Sequence, residues 1–369
     1  MQKLVGLEGL RGLMSLWVVL SHAVTIAALP VYKAHGVGLL LANGGFAVDV
    51  FIILSGFVIA LLITERREQF SVYLCRRAFR LFPVYLVAFV LSILAFDISV
   101  QFLNSLPWDH PKTAVRLSIF EESMEMFSYH IPAHLLLLHG MIPESVLPAT
   151  NYAFMGQAWS LSLEWQFYLV APFLVALMFK YSNLRLLVLC GVFAISEPAF
   201  RIIFGHWNFI FASSFLFLFG IFSYKLYRGF REGSVSEKEY VSIFLFVCGV
   251  VIVDKAVLRG WLYAIPVLIW MATLFSETLT AGRFKIVKKI NNSRVALFLG
   301  RVSYSIYCIH MVVMYVWGYF LVVVIGVESH YVYAFSVLIL SFATTLIASK
   351  YLYNFVEAPF IKLAKRAFK

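Results

Sequence analysis

Apolar residues fill most of this chain in long blocks, broken by short polar stretches rich in Arg and Lys. A membrane-crossing helix needs about 20 such residues. Runs that meet or approach this length lie at about 7–29, 46–64, 82–102, 158–179, 184–204, 208–226, 240–257, 261–279, 299–325 and 331–354. The pattern predicts an all-α polytopic membrane protein with about ten transmembrane helices. An eleventh run, Ile131 to Gly140, is too short to cross and reads as an interfacial or re-entrant piece. Two further stretches stand apart, an amphipathic segment at 66–82 and a polar region at 103–157. The whole of 1–369 reads as one integral membrane domain.

Charge sets the expected orientation. With a cytoplasmic N-terminus, only Lys33, Lys112, Arg116, Arg201, Lys255 and Arg259 of the 30 Lys and Arg fall outside. The positive-inside rule then places both termini and segment 66–82 in the cytoplasm, and region 103–157 outside. The net charge of +11 faces a lipid surface in this arrangement, so nucleic acid is excluded as a partner and membrane lipids are expected. Composition agrees: 13% of residues are charged, against about 25% in soluble domains. Cys75, Cys190, Cys248 and Cys308 form no CxxC pair, so neither a disulfide nor a zinc site is expected. The first apolar run lacks a small-residue cleavage site and reads as a retained helix.

Ionisable groups inside a bilayer are costly and usually functional. Arg11 and His22 lie in the first span, eleven positions apart. At about 100° and 1.5 Å per residue they share one face, roughly 16 Å apart along the axis. Arg11 suits an interfacial anchor, and His22 suits an interhelical hydrogen bond. The alternative for His22 is a general base, since a neutral imidazole accepts a hydroxyl proton near pH 7. Asp49 enters the second span near its outer end, at a depth where a carboxylate would orient that imidazole. Glu164 lies about one turn inside the span that opens at Trp159, with Ser160 or Ser162 as its cap. Arg77 and Arg80 share a face of the 66–82 segment, just before Pro83, which is expected to open the third span, and suit anionic lipid or a phosphorylated ligand. Glu197 and Arg201, four apart, form an ion pair or line an acceptor pocket. His310 lies mid-depth in the ninth span. Ser55, Trp159, Ser160, Arg201 and His310 are the candidate substrate-binding residues, with close packing for Ser55, an interfacial belt for Trp159 and a structural histidine for His310 as the alternatives. His130, His134 and His139 raise a metal site, but Pro132 interrupts the helix and no nearby acidic ligand is obvious, so none is expected. There is no P-loop, HExxH or GxSxG.

Five stretches occur in order: Glu8-Gly-Leu-Arg-Gly12 with His22, Gly45 to Phe57, Trp159 to Tyr168, Leu299 to His310, and Val356-Glu-Ala-Pro359. Together they resemble the acyltransferase type 3 family of integral membrane O-acyltransferases, over essentially the whole chain. The family's Arg, ten residues, then His matches Arg11 and His22, and its R-x-x-R matches Arg77-Ala-Phe-Arg80. The resemblance implies transfer of an acetyl group from cytosolic acetyl-CoA to a hydroxyl of a surface or secreted glycan or lipid-linked saccharide. An antibiotic or other small molecule is the alternative acceptor, and a transporter the rival class. The implied roles are Arg11, Arg77 and Arg80 on acetyl-CoA, His22 as base or transient acyl carrier, and Asp49 or Glu164 orienting it. A multi-pass protein of the bacterial inner membrane is implied. The chain ends 15 residues past its last expected span, so a fused SGNH hydrolase-like domain is not expected.

Overall fold

The computed structural model describes residues 4–30, 36–181, 192, 196–206, 208–259, 261–279 and 284–368, except the side chains of 37 and 253–259. Among them the elements are helices, with no strand. The first eight are α1 (Val5–Ile26), α2 (Val37–Ala42), α3 (Gly45–Arg66), α4 (Phe70–Leu94), α5 (Phe96–Ser105), α6 (Pro111–Glu125), α7 (Phe127–Leu135) and α8 (Trp159–Lys180). Then come α9, described over 196–204, α10 (Ser214–Arg231), α11 (Glu237–Arg259), α12 (Ile265–Thr278) and α13 (Lys285–Asn291). The last are α14 (Arg294–Tyr319), α15 (His330–Leu352) and α16 (Ala358–Ala367).

Seven helical stretches among the described residues are long and apolar enough to cross a bilayer: Val5–Ile26, Gly45–Arg66, Phe70–Leu94, Gly156–Lys180, Trp261–Thr278, Arg294–Val324 and His330–Ala367. The expected count of ten is not confirmed. Most of run 184–204 lies outside the described residues, and α10 carries Lys225, Arg228 and Arg231 within its 18 residues. Run 240–257 falls within α11, whose last side chains are not described.

The centre of the bundle is the contact between α1 and α14. A Cβ at Gly9 would stand 1.7 Å from the Asn291 carbonyl oxygen, and one at Gly12 would stand 2.5 Å from the Gly300 amide nitrogen. A Cβ at Gly300 would reach 1.9 Å from the Glu8 carbonyl oxygen. The backbones therefore touch, as small residues allow in membrane helices. Further along, Arg11 bonds Ser303 and the His22 ring faces that of His310. Contacts advance together along both helices, so α1 and α14 run parallel. Two parallel spans need an odd number of crossings between them. Four of the seven candidate spans lie between α1 and α14. The candidate spans among the described residues therefore do not account for every crossing between α1 and α14. A second close contact joins Gly56 of α3 to α10, where its Cβ would lie 2.3 Å from the Phe217 carbonyl oxygen.

Segment 66–82 and the span expected from residue 82 form one helix. Pro83 lies inside α4 instead of opening a new element. Loss of one backbone hydrogen bond is tolerated there because neighbouring helices support the turn. Arg77 and Arg80 thus ride into the bundle on the early turns of α4. Region 103–157 folds as the end of α5, α6, α7 and a compact loop. Its centre is made of His130, His134 and His139, all fully buried, with the His134 and His139 rings stacked at 4.0 Å. Among the described residues no group of three His, Cys, Asp or Glu is arranged to hold a metal. Ser162 donates to the Leu137 carbonyl at 2.7 Å and accepts from the Gly140 amide at 3.0 Å, tying this region to α8.

Gly300→Val drives a side chain into the Glu8 backbone and is expected to cost about 3 kcal/mol or more. Reduced thermal stability of the purified protein checks this, and a melting temperature equal to wild type contradicts it. Burial pushes the three histidines below their ordinary value, His139 to about 3. The unfolded chain takes up protons as pH falls through about 6.5, whereas the folded chain does not. Stability is therefore lost as pH drops below about 6.5, until His139 itself protonates near 3. A melting curve against pH should show this slope, and His139→Phe should flatten it.

Candidate functional site

Three cavities among the helices are lined by Arg11, His22, Asp49, Arg77, Arg80 and Glu164, and α1 lines two of them. The first, about 150 Å³, holds Arg11, Arg77, Arg80, Glu164, Ser55 and Tyr168. Its three guanidinium groups come from two helices. Arg11 donates to the Ser303 hydroxyl at 3.0 Å, and Arg80 pairs with Glu357 at 2.7 Å. The guanidinium groups of Arg77 and Arg80 lie 5.9 Å from the ring centres of Tyr168 and Tyr304. Glu164 accepts from Ser55 at 3.3 Å and from the Tyr168 hydroxyl. A carboxylate and three guanidinium groups share this space, so its charge balance is positive and it suits a phosphate-bearing ligand.

The second cavity, about 360 Å³, holds His22 with Lys112, Arg116, Tyr152, Gln157 and Trp159. The His22 and His310 ring centres are 5.3 Å apart. His310 is fully buried, and its Nδ1 lies 2.8 Å from the Tyr307 carbonyl oxygen. A carbonyl only accepts, so Nδ1 carries the proton and Nε2 carries the lone pair. That Nε2 has no hydrogen-bond partner among the described residues. The third cavity, about 260 Å³, holds Asp49, Glu197, Arg201, Asn43, Trp159 and Tyr263. Glu197 and Arg201 do pair, at 3.1 Å.

The three proposed acyl-donor residues, Arg11, Arg77 and Arg80, thus come together. The carboxylate partners expected for His22 do not. Glu164 sits with the arginines and Asp49 with Glu197 and Arg201, so neither lines the His22 cavity. The reason is helix rotation: α3 and α8 each turn their acid to a different neighbour, which span depth alone does not reveal. Of the substrate-binding set, Ser55 and Ser160 line the arginine cavity, and Arg201 lines the third. Trp159 walls both the second and the third, and His310 stands behind His22. Neither Ser160 nor Ser162 caps α8, whose cap position is Ala158. Tyr307 donates to the Gln157 carbonyl at 3.0 Å, so Ser160 donates to Tyr307, at 2.6 Å. This chain of bonds stands where the arginine cavity approaches the His22 cavity.

Glu357 is the residue that sequence reasoning missed. It closes a π-helical turn, Tyr353–Glu357, at the end of α15. It is buried, pairs with Arg80 and accepts from Ser305 at 2.7 Å. Its signal is a lone acid in a basic tail beside Pro359, within the last of the five ordered stretches. Removing it leaves Arg80 a largely buried, unpaired cation. Glu357→Ala should cost about 3–5 kcal/mol. Chemical or thermal denaturation of the variant checks this, with Glu357→Gln milder because it keeps an acceptor for Ser305. A loss under about 1 kcal/mol contradicts the pairing.

Comparison with known proteins completes the picture. The family model described as "Acyltransferase domain" matches residues 4–352. A curated relative, Acyltransferase MdmB of Streptomyces mycarofaciens, is 28% identical over 190 residues. That match takes in 50% of this chain and 42% of the relative's length. No solved structure matches. The family match spans every helix that supplies Arg11, His22, Asp49, Arg77, Arg80, Glu164 and His310, on a bundle of apolar helices. The chain therefore belongs to the acyltransferase type 3 family, whose model covers its apolar helices almost from end to end.

Proposed function

We propose that this protein transfers an acetyl group from cytosolic acetyl-CoA to a hydroxyl of a surface or secreted glycan. The observation that carries this reading is the division of α1 between two cavities. Arg11 meets Arg77 and Arg80 in one, and His22 lines the other. The excess of Lys and Arg on one side of the expected topology supports a cytoplasmic mouth for the arginine cavity. The bacterial inner membrane is the corresponding location. In this reading the arginines hold the phosphates of acetyl-CoA, bidentately where geometry allows. The pantetheine arm passes the Ser160–Tyr307 bond toward His22. The acceptor lies in the His22 cavity and extends past Trp159 toward Asp49, Glu197 and Arg201, whose polar groups suit sugar hydroxyls.

The chemistry balances on one base. The neutral His22 imidazole takes the acceptor hydroxyl proton as the oxygen attacks the thioester carbonyl carbon. The carbon–sulfur bond breaks, the thiolate leaves, and the imidazolium returns the proton to it. An ester and free CoA thiol result. The His310 ring replaces a carboxylate as the neighbour of His22. Its Nε2 lone pair is an acceptor that can fix the His22 tautomer, the role an acid plays in a triad. In the two-step variant His22 itself carries the acetyl group before the hydroxyl arrives.

His22→Ala should lower acetyl transfer by about 10²–10⁴-fold at equal membrane level. Acetyl-CoA affinity should stay near wild type, because the arginine cavity is untouched. Transfer rates with several glycans, alongside direct binding of acetyl-CoA, check both halves. Full activity in the variant overturns the role of His22. Single-turnover trapping of an acetyl-protein without acceptor separates the two-step route from direct transfer.

A further inference from the structure

The cations of the His22 cavity need an explanation that the transfer step does not supply. Lys112 and Arg116 are four residues apart on α6, so they stand one above the other on one helix face. Like charges in that relation destabilise a helix. The next position on that face is Phe120, which also lines the cavity. The acids of the same helix, Glu121, Glu122 and Glu125, are exposed and do not line it. Among the described residues neither Lys112 nor Arg116 has a carboxylate within ion-pair distance. No Asp or Glu among them lines the cavity at all.

Arg116 is nevertheless held in place. Its Nη2 donates to the Thr25 hydroxyl at 3.0 Å, and that hydroxyl donates to the His22 carbonyl at 2.8 Å. The guanidinium is thus fixed one turn of α1 from His22, and most of its five donors remain for another partner. Burial and the Arg116 charge both push the Lys112 ammonium below its ordinary value. An anion between the two cations would relieve both effects. The third cavity shows the contrast, since Arg201 there has Glu197.

We propose that the His22 cavity selects an acceptor bearing an anionic group, a carboxylate or a phosphate, which Lys112 and Arg116 hold beside the hydroxyl to be acylated. This rests on the acyltransferase reading above. Trp159 and Tyr152 form apolar walls to the same cavity, suited to a sugar ring carrying that group. The acceptor class is then an acidic saccharide, such as a uronic acid or a sugar phosphate, in preference to a neutral one. The anion also fixes which hydroxyl reaches His22, because two charge-assisted contacts orient the ring about one end.

The test uses the full chain in phosphatidylcholine nanodiscs, with methyl glucuronide, glucose 6-phosphate and methyl glucoside as probes. Binding is read as a saturable rise in melting temperature, and acyl-CoA binding is measured in parallel. One of the two anionic probes should bind at least about tenfold more tightly than the glucoside. Lys112→Gln, which keeps a polar side chain of similar length, should lose about tenfold of that preference. Lys112→Gln with Arg116→Gln should abolish it. Equal binding of charged and neutral probes overturns the proposal. So does a preference unchanged in the double variant, or no binding of either anionic probe. Phosphatidylglycerol added to the discs gives the remaining arm. Displacement of the sugar by this lipid, with the same dependence on Lys112, would assign the cations to a lipid headgroup and overturn the acceptor role. Failure of acyl-CoA to bind wild type would sink the acyltransferase reading instead.

Discussion

The backbone contact between α1 and α14 is the constraint on which the rest depends. Gly9, Gly12 and Gly300 leave no room for a side chain between the two helices. Parallel packing at that distance sets a single register. In that register Arg11 meets Ser303 and His22 meets His310. A shift by one helical turn would leave both ionisable groups without these neighbours. In a bilayer there is no water to take their place, so the contact and the site are selected together.

The cavities then follow from which elements pack around this pair. At the Arg11 end, α4 brings Arg77 and Arg80, and the turn after α15 brings Glu357. This end is polar and densely bonded, and each of Arg11 and Arg80 has a protein partner. At the His22 end, α6 and the loop before α8 close the space. Here the cations stand without acids, and the cavity is the larger of the two. The difference fits a division of labour. One end holds a constant, multiply charged donor, and the other accepts a variable molecule recognised by few groups. Ser160, Tyr307 and Gln157 join the two ends through a short chain of hydrogen bonds.

Several of these features are legible in the sequence. Hydropathy marks the helices, and the spacing of Arg11 and His22 places them on one face of the first. The spacing of Arg77 and Arg80 puts both on one face as well, and the pairing of Glu197 with Arg201 follows from their separation of four. Pro83 misleads, because a proline opens helices in water but is tolerated inside them when neighbours support the turn. The partners of His22 are hidden for a different reason. Depth along a span can be counted from sequence, but Asp49 and Glu164 point into different cavities according to how α3 and α8 are rotated.

The class of protein, and the residues that bear charge within its apolar helices, are written in the chain alone. Both rest on local rules: a helix must hide its backbone from lipid, and a fixed rise and twist per residue place side chains along it. Which of those residues meet is a matter of packing. The bundle brings Glu357 at one end of the chain to Arg80 near the other, sets His310 against His22, and leaves Lys112 and Arg116 facing a cavity without an acid. Such encounters depend on the rotation and register of helices distant in sequence, and these are fixed by close packing at a few glycines.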